Sequence, residues 1–325
     1  MPKKKAHNQT TEKQSRATGI DIGKKELVLA FHDTKKTHTF ENSEQGRKRL
    51  VERLVNEQPS RIVCEATGGY ERSLALELLV AKLPLDLVNP RRARDFAKSR
   101  GKLAKTDQID AQVLALYAHS LGDAPRTVPD VDVLELQEVI ARRQQLVEMR
   151  VQEKNRLQRA TPKSKPSIQR MIEHLDQELK SIEDEADRMI RDNATWHERA
   201  KVLKAIDGIG DQTARILIAF FPELGALNRG EAGALAGLAP LNCDSGNMRG
   251  QRHIYGGRVR VRNALYLAAL TATRESSPLH HFYKRLRAEK PAKVAIVAVA
   301  RKLLTIANQV LKTGKPYDKK ILFSA

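Results

Sequence analysis

The sequence predicts an α/β domain built on a mixed sheet, followed by a mainly helical remainder, and three observations carry that prediction. Short β-branched runs alternate with helical repeats through roughly the first third of the chain. Two long, highly charged stretches, Val131 to Arg159 and Ser167 to Arg191, are almost free of glycine and apolar at spacings of three and four. Beyond Trp196 apolar helical segments are joined by glycine-rich turns. At 325 residues the chain is too long for one small core and predicts two or three structural units. The expected boundaries are a disordered basic arm at 1–15, an α/β domain at 16–125, a helical linker at 126–195 and a helical C-terminal domain at 196–325.

Within the α/β part, TGIDIG, ELVLAFH and THTFENS read as three short strands, the first two separated by a Gly23-Lys24-Lys25 turn and the next two by DTKK, an antiparallel meander. Residues 44–57 place Leu50, Leu54 and Val55 at helical spacing. RIVCEAT then forms a β-branched strand, ERSLALELLVAK a helix, and LDLVNP a further strand. Three strands, helix, strand, helix, strand, helix is the order of a ribonuclease-H-like sheet. The Arg/Lys-rich segment RRARDFAKSRGKLAK leads directly to Asp107 and reads as a backbone-phosphate surface, with a solvated helix face as the bland alternative.

The two charged stretches, broken at TPKSKP, predict long helices folding back as an antiparallel coiled coil, because so narrow an apolar stripe needs a partner helix. A helical spacer and a dimerisation arm are both open. VLKAIDGIGDQTARILIAFF resembles a helix-hairpin-helix element around Gly208 and Gly210, whose backbone N–H groups would hold a phosphate; a tight structural turn fits equally. A last apolar helix, KVAIVAVARKLLTIANQVLK, closes the chain.

Lys and Arg number 58 against 39 Asp and Glu, a net charge of +19, so the surface field selects polyanions and nucleic acid is the expected partner. Aromatic residues make up only 4% of the chain, which argues against stacking platforms for single strands and for recognition through phosphates and helical shape. No stretch reads as a spanning helix and no apolar signal core opens the sequence, so a soluble, intracellular protein is expected. Cys64 and Cys243 lack any C-x-x-C or Cys/His spacing, so neither a disulfide framework nor a zinc site is indicated; both are expected to be reduced, with Cys64 buried in a strand.

Four carboxylates stand at strand ends or a helix start: Asp21, Glu65, Asp107 and Asp110. Thr106 is a natural N-cap, so Asp107 and Asp110 project from one side of a helix N-terminus. A carboxylate at Asp21, inside an apolar β-pattern, must be paired, protonated or bound to metal. Carboxylates from separate elements, completed by substrate phosphate, suit Mg²⁺, with Mn²⁺ as a substitute. Taken singly, D-x-x-D on a helix start is an ordinary capping pattern.

Ser245, in CDSGNMRG, is by itself a turn residue in a polar loop with no neighbouring base. Arg249, Arg252, His253, Arg258, Arg260 and Arg262 follow it and match phosphate geometry. Arg91, Arg92, Lys105, Gly208, Gly210, Arg249, Arg252, His253, Arg258 and Arg260 are the candidate nucleic-acid contacts. Tyr70 and Asn89, with Lys105, Arg249 and His253, are candidate supports of the acidic site.

GIDIGKKEL, CEATGGYE, KTDQIDAQVLA, the GIG hairpin, GLAP and SGNMRG occur together and in this order. With them the chain resembles the DEDD-type transposases of bacterial insertion sequences, a family related to Piv-type DNA invertases and understood as bridge-RNA-guided recombinases. The resemblance runs from about Thr18 to Tyr317. It implies a RuvC-like N-terminal domain, a coiled-coil linker and a C-terminal transposase domain. It also implies Asp21, Glu65, Asp107 and Asp110 as Mg²⁺ ligands and Ser245 as the nucleophile that forms a covalent phosphoserine. Donor and target DNA, a structured noncoding guide RNA and further copies of the chain, as dimer or tetramer, are the implied partners. The competing expectation is a RuvC-like junction nuclease that uses metal-activated water. A non-enzymatic nucleic-acid-binding protein is disfavoured by the intact quartet.

Overall fold

A computed structural model describes residues 16–66, 69–101, 104, 106–122, 130–242, 250, 252–315 and 317. The chain divides after Leu134 into two compact units. In the first, β1 (Ala17–Ile22), β2 (Glu26–Phe31) and β3 (Thr37–Glu41) form the expected antiparallel meander. α1 (Glu44–Glu57), β4 (Arg61–Glu65), α2 (Arg72–Val80), β5 (Leu85–Val88), α3 (Pro90–Ser99) and α4 (Asp107–Ser120) follow. β4 pairs parallel with β1 and β5 parallel with β4, so the sheet runs β3-β2-β1-β4-β5. This is the mixed sheet the alternation of runs predicts.

Strand periodicity splits the core into two layers. Ile20, Leu27, Leu29, Ile62, Cys64 and Leu85 pack with Leu50 and Leu54 of α1 and Leu74 and Leu78 of α2. Each such leucine contributes about 1.5–3 kcal/mol on burial. Ser43 starts α1 by accepting the Gly46 N–H at 3.2 Å. On the opposite face, Ala17 and Val63 pack with Ala93 of α3 and Leu114 and Ala118 of α4. Val28 and Ala30 pack with Ala111 and Ala115. Beneath this layer Arg61 and Asp86 form an ion pair at 3.2 Å with both side chains under 10% exposed.

The second unit begins within α5 (Val131–Gln158), which folds back on α6 (Lys165–Asp192). Pairing of Arg143 with Glu183 at 2.6 Å and of Arg150 with Asp176 at 2.7 Å fixes the two helices antiparallel, with Leu146 packed on Leu175 and Leu179. α6 begins two residues before the expected Ser167 because Pro166 falls in its first turn, where the missing N–H has no partner to lose. α7 (Ala194–Lys204), α8 (Asp211–Phe220), α9 (Arg229–Leu235), the two-residue strands β6 (Pro240–Leu241) and β7 (His253–Ile254), α10 (Val259–Ala272), α11 (His280–Glu289) and α12 (Ala292–Thr313) complete the unit.

α12 corrects one expectation: by length and composition it is apolar enough to cross a membrane, although the sequence reading found no such stretch. Its apolar surface is spent internally. Val299, Ala300, Leu303, Leu304 and Ala307 are buried with α8 and α10 residues such as Leu217 and Leu265 in the core of this unit. Asn308, 5% exposed, is satisfied there by the Gly225 N–H and the Leu227 carbonyl, both at 2.8 Å.

Candidate active site

The acidic quartet gathers at one end of the first unit through three local facts. First, β1 and β4 pair in parallel with Ile20 opposite Cys64, so the next residues in register are Asp21 and Glu65. Both fall on the strand face that Ala17, Gly19 and Val63 share, the face covered by α4. Second, α4 lies directly on Gly19, where a Cβ would come within 2.2 Å of the Ala115 nitrogen and 2.4 Å of the Ala111 carbonyl oxygen. Only glycine permits so close a helix. Third, Ala17 shares its cluster with Leu114 and Ala118, whereas Gly19 lies against Ala111, Leu114 and Ala115, so α4 descends as β1 ascends and its first turn lies toward the Asp21 end of the strand. That first turn carries Asp107 and Asp110, and Thr106 caps it by accepting the Ile109 N–H at 3.2 Å, as expected.

Asp21, Glu65 and Asp110 are half-buried and Asp107 is exposed. Among the described residues no three Asp, Glu, His or Cys side chains form a cluster that could hold a metal ion. The quartet therefore shares a sheet end without closing into a cage. Its donors are all hard carboxylate oxygens, which is the chemistry Mg²⁺ or Mn²⁺ selects.

Glu71 is a carboxylate the sequence reading passed over as the first residue of a helix. It is 8% exposed, its Oε2 accepts the Gly69 N–H at 2.8 Å, and it stands just before α2, where negative charge answers the helix dipole. Burial, and then the charges of Glu71 and Asp21, push the Cys64 thiol well above its usual range, so this buried cysteine stays protonated and unreactive.

α3 follows β5 at the same end of the parallel strands, capped by Asn89, whose Oδ1 accepts the Arg91 N–H at 2.9 Å. Its first turn holds exposed Arg91 and Arg92 and no acid. Cations there oppose the helix dipole, and Arg91 is answered by an exposed i,i+4 pair with Asp95 at 3.9 Å, which is of little net worth. Tyr70 is 49% exposed. Lys105 lies outside the described residues.

Ser245 and Arg249 also lie outside them, but the base of their loop is described. β6 and β7 pair antiparallel, Pro240 opposite Ile254 and Leu241 opposite His253, at the two ends of that segment. Gly237 and Gly257, both at φ near +65°, press backbone on backbone: a Cβ on Gly257 would lie 2.2 Å from the Gly237 nitrogen. The Arg258 N–H donates to the Leu235 carbonyl at 2.8 Å, and Arg262 donates to the Gly256 carbonyl at 2.6 Å. Arg258 is absorbed structurally, with two 2.6 Å hydrogen bonds to Glu223, one to the Phe220 carbonyl and its guanidinium over the Phe221 ring. Burial by itself would raise the Glu223 carboxyl, yet the Arg258 hydrogen bonds, a backbone hydrogen bond and the charges of Arg258 and Arg199 together outweigh it and hold the group below its usual value. Arg260 lies over the Phe220 ring, and Arg252 and His253 are exposed.

The α7–α8 turn carries the two hairpin glycines in different roles. Gly208, at φ +98°, packs so tightly on α10 that a Cβ would meet the Ala268 carbonyl and the Ala272 Cβ at 2.9 Å. Gly210 is the N-cap of α8 with φ −90°, and nothing of the protein stands within 4 Å of where its Cβ would be.

Residues 18–165 match a DEDD transposase domain of the IS110 kind, and residues 200–284 match the transposase domain of the IS116/IS110/IS902 family. The chain is 29% identical to the pilin gene-inverting protein of Moraxella bovis over 315 residues, covering 93% of this chain and 98% of that protein. The pilin gene-inverting protein of Moraxella lacunata matches to the same extent. An uncharacterized 44.8 kDa protein of insertion element IS116 from Streptomyces clavuligerus is 28% identical over 131 residues, 39% of this chain and 32% of that protein. The two domain matches lie in the order the motifs predict and between them span most of the chain: it belongs to the IS110-type DEDD transposases, enzymes that recombine DNA.

Proposed function

We propose that this transposase is a Mg²⁺-dependent recombinase, guided by a structured noncoding RNA, that cuts and rejoins donor and target DNA through a phosphoserine at Ser245. The observation that carries the reading is the placement of Asp21, Glu65, Asp107 and Asp110 at one end of the sheet, two in register on parallel strands and two on the helix held over Gly19. Such a first unit is RuvC-like in its logic, with carboxylates as ligands and exposed Arg91 and Arg92 beside them for backbone phosphates.

These four carboxylates would hold Mg²⁺ or Mn²⁺, which when bound supplies Lewis acidity to the scissile phosphate. Their like charges repel one another, and a divalent cation held between them would offset that repulsion. Ser245 supplies the nucleophile. Its Oγ bonds to phosphorus while the bond from phosphorus to one deoxyribose oxygen breaks, the serine proton leaves to solvent and the departing oxygen gains one. Attack by a deoxyribose hydroxyl of the partner strand reverses these steps, freeing Ser245 and joining the new phosphodiester without an external energy source. The β6–β7 pairing and the contact of Gly237 with Gly257 fix the points between which the serine segment runs.

Specificity by base pairing with a guide RNA fits a chain with a large cation excess and few aromatic residues. The antiparallel α5–α6 pair serves as a coiled-coil arm joining copies of the chain, since exchange between two duplexes needs several active sites.

The deciding experiment incubates the protein with Mg²⁺, its cognate RNA and end-labelled donor and target DNA, quenches in denaturant and looks for label travelling with protein. The expected result is an adduct in the wild type that Ser245→Ala abolishes while DNA binding survives. In Asp21→Asn, joined product falls by at least about 10²-fold with little change in Tm, the scale of losing a central electrostatic group. Free cleaved ends that Ser245→Ala leaves unchanged would overturn the serine mechanism and favour hydrolysis by a RuvC-like nuclease.

A further inference from the structure

The second unit contains a cleft that no part of the chemistry above uses. It is an open hollow of about 340 Å³ between the end of α6, one face of α7 and the first turns of α8. Its floor is small and apolar, Ile190, Ala200 and Ala214. Its walls carry Arg191, His197, Lys201, Lys204 and Arg215, against only two carboxylates, Asp187 and Asp211.

The cations fall into two groups. Arg215, 6% exposed, is clamped by Asp187 through hydrogen bonds of 2.8 and 2.7 Å, so it is a fixed part of the wall with its charge matched. Lys204 pairs with Asp211 at 3.0 Å, but the two side chains are 48% and 63% exposed, a pair of little net worth that a stronger anion can open. Arg191 and Lys201 are exposed and, among the described residues, have no carboxylate partner. His197, Lys201 and Lys204 recur at helical spacing on α7, so one face of that helix presents donors into the hollow.

Gly210 supplies the second observation. Its φ of −90° suits any residue and its missing Cβ has open space around it, so neither backbone strain nor packing within the chain calls for glycine there. No N-cap side chain covers the start of α8; its first turn carries the exposed Asp211, which takes its own backbone N–H and pairs with Lys204, so an incoming phosphate displaces that carboxylate beside a cleft with a cation excess. A bare N-cap is what an incoming backbone oxyanion requires.

We propose that this cleft seats backbone phosphate of a nucleic-acid strand, held by Arg191, Lys201 and Lys204 with the α8 N-terminus. The inference rests on the reading that the chain handles DNA and RNA, and it is independent of the chemistry at the carboxylates and Ser245. Phosphate is the chemistry recognised, and either polymer supplies it.

The test uses the full chain carrying Ser245→Ala, so that binding is read without cleavage, against a DNA duplex and a hairpin RNA across a salt series. Arg191→Ala with Lys201→Ala should weaken binding about 10-fold and lower the salt slope by about 2, the loss of two phosphate contacts. Lys163→Ala with Lys165→Ala, removing equal charge at the exposed α5–α6 connection, should do less. Gly210→Ser is the sharper variant: serine is a better N-cap than glycine, so Tm should hold or rise while affinity falls. The polymer whose affinity falls further is the one seated in the cleft. Affinity and salt slope of the Arg191/Lys201 variant equal to those of the lysine control, or wild-type affinity in Gly210→Ser, would overturn the proposal. Because adduct formation is scored separately with the native serine, failure of the cleft and failure of the serine mechanism give different results.

Discussion

The two units fix their candidate reactive groups by different means. In the first, each of the four acids sits on a regular element: Asp21 and Glu65 on adjacent strands, Asp107 and Asp110 in a capped first helical turn. In the second, the serine segment leaves a pair of two-residue strands whose base is held by two glycines meeting backbone to backbone. On the proposed chemistry the four acids share an ion, which needs well-fixed relative positions, and paired strands under a packed helix are the rigid elements suited to that. On the same proposal, a serine that reaches a phosphate and later releases it is suited by a segment entered and left at a firm base. The first unit is therefore expected to be sensitive to anything that moves an element, the second to anything that loosens an anchor.

Gly19→Ala should be the more damaging of two single-methyl changes that probe this contrast. Its Cβ would collide with the backbone of α4 at 2.2 and 2.4 Å, and backbone cannot rotate away as a side chain does, so α4 must lift from the sheet. About 3 kcal/mol of stability should be lost. Recombination should fall further than the folded fraction explains, because Asp107 and Asp110 move with the helix. Chemical denaturation and single-turnover assays on the folded fraction would separate the two effects. Full activity in the folded fraction would mean that the first turn of α4 need not be registered against Asp21.

Gly257→Ala is the matching change in the second unit. It forces an L-residue to φ +64° and places a Cβ 2.2 Å from the Gly237 nitrogen, with a cost of about 2 kcal/mol. Adduct formation at Ser245 should decline while metal-dependent behaviour of the first unit is untouched. Unchanged adduct yield with reduced Tm would show that the anchor stabilises the fold without aiming the serine.

The same contrast decides what was legible beforehand. The meander and the helix at 44–57 follow from periodicity, and the capped start of α4 from Thr106, because local physics determines them; the Ser43 cap of α1 is seen only in the structure. That Asp21 and Glu65 face the same side also follows from strand alternation once the strands are parallel neighbours. Gly19 looked like an ordinary strand residue, since its role depends on α4 packing some ninety residues later. Glu71 was hidden similarly: nothing in TGGYE reveals that its carboxylate turns back to the Gly69 N–H. Arg258 resembled its neighbouring arginines, and only the partner Glu223, 35 positions away, marks it as structural. The contact of Gly237 with Gly257 is wholly non-local, so the CDSGNMRG motif was visible in the sequence while the packing at its base was not.

The Arg258–Glu223 clamp gives the mildest test of the anchor. Its carboxyl is held below the usual glutamate value despite partial burial, so the folded state favours the ionised form. The stability it contributes is complete above the unfolded-state value and disappears as pH falls through the lower, folded-state value. Glu223→Gln keeps the shape and one acceptor oxygen but loses the charge, and should cost about 1 kcal/mol at neutral pH. The gap between wild type and variant should stay level down to the ordinary glutamate range and then close with further acidification. Denaturation of both proteins across that range checks the sign directly. A gap that widens in acid would mean that Glu223 is stabilised in its protonated form, with Arg258 held by the Phe220 carbonyl and the Phe221 ring instead.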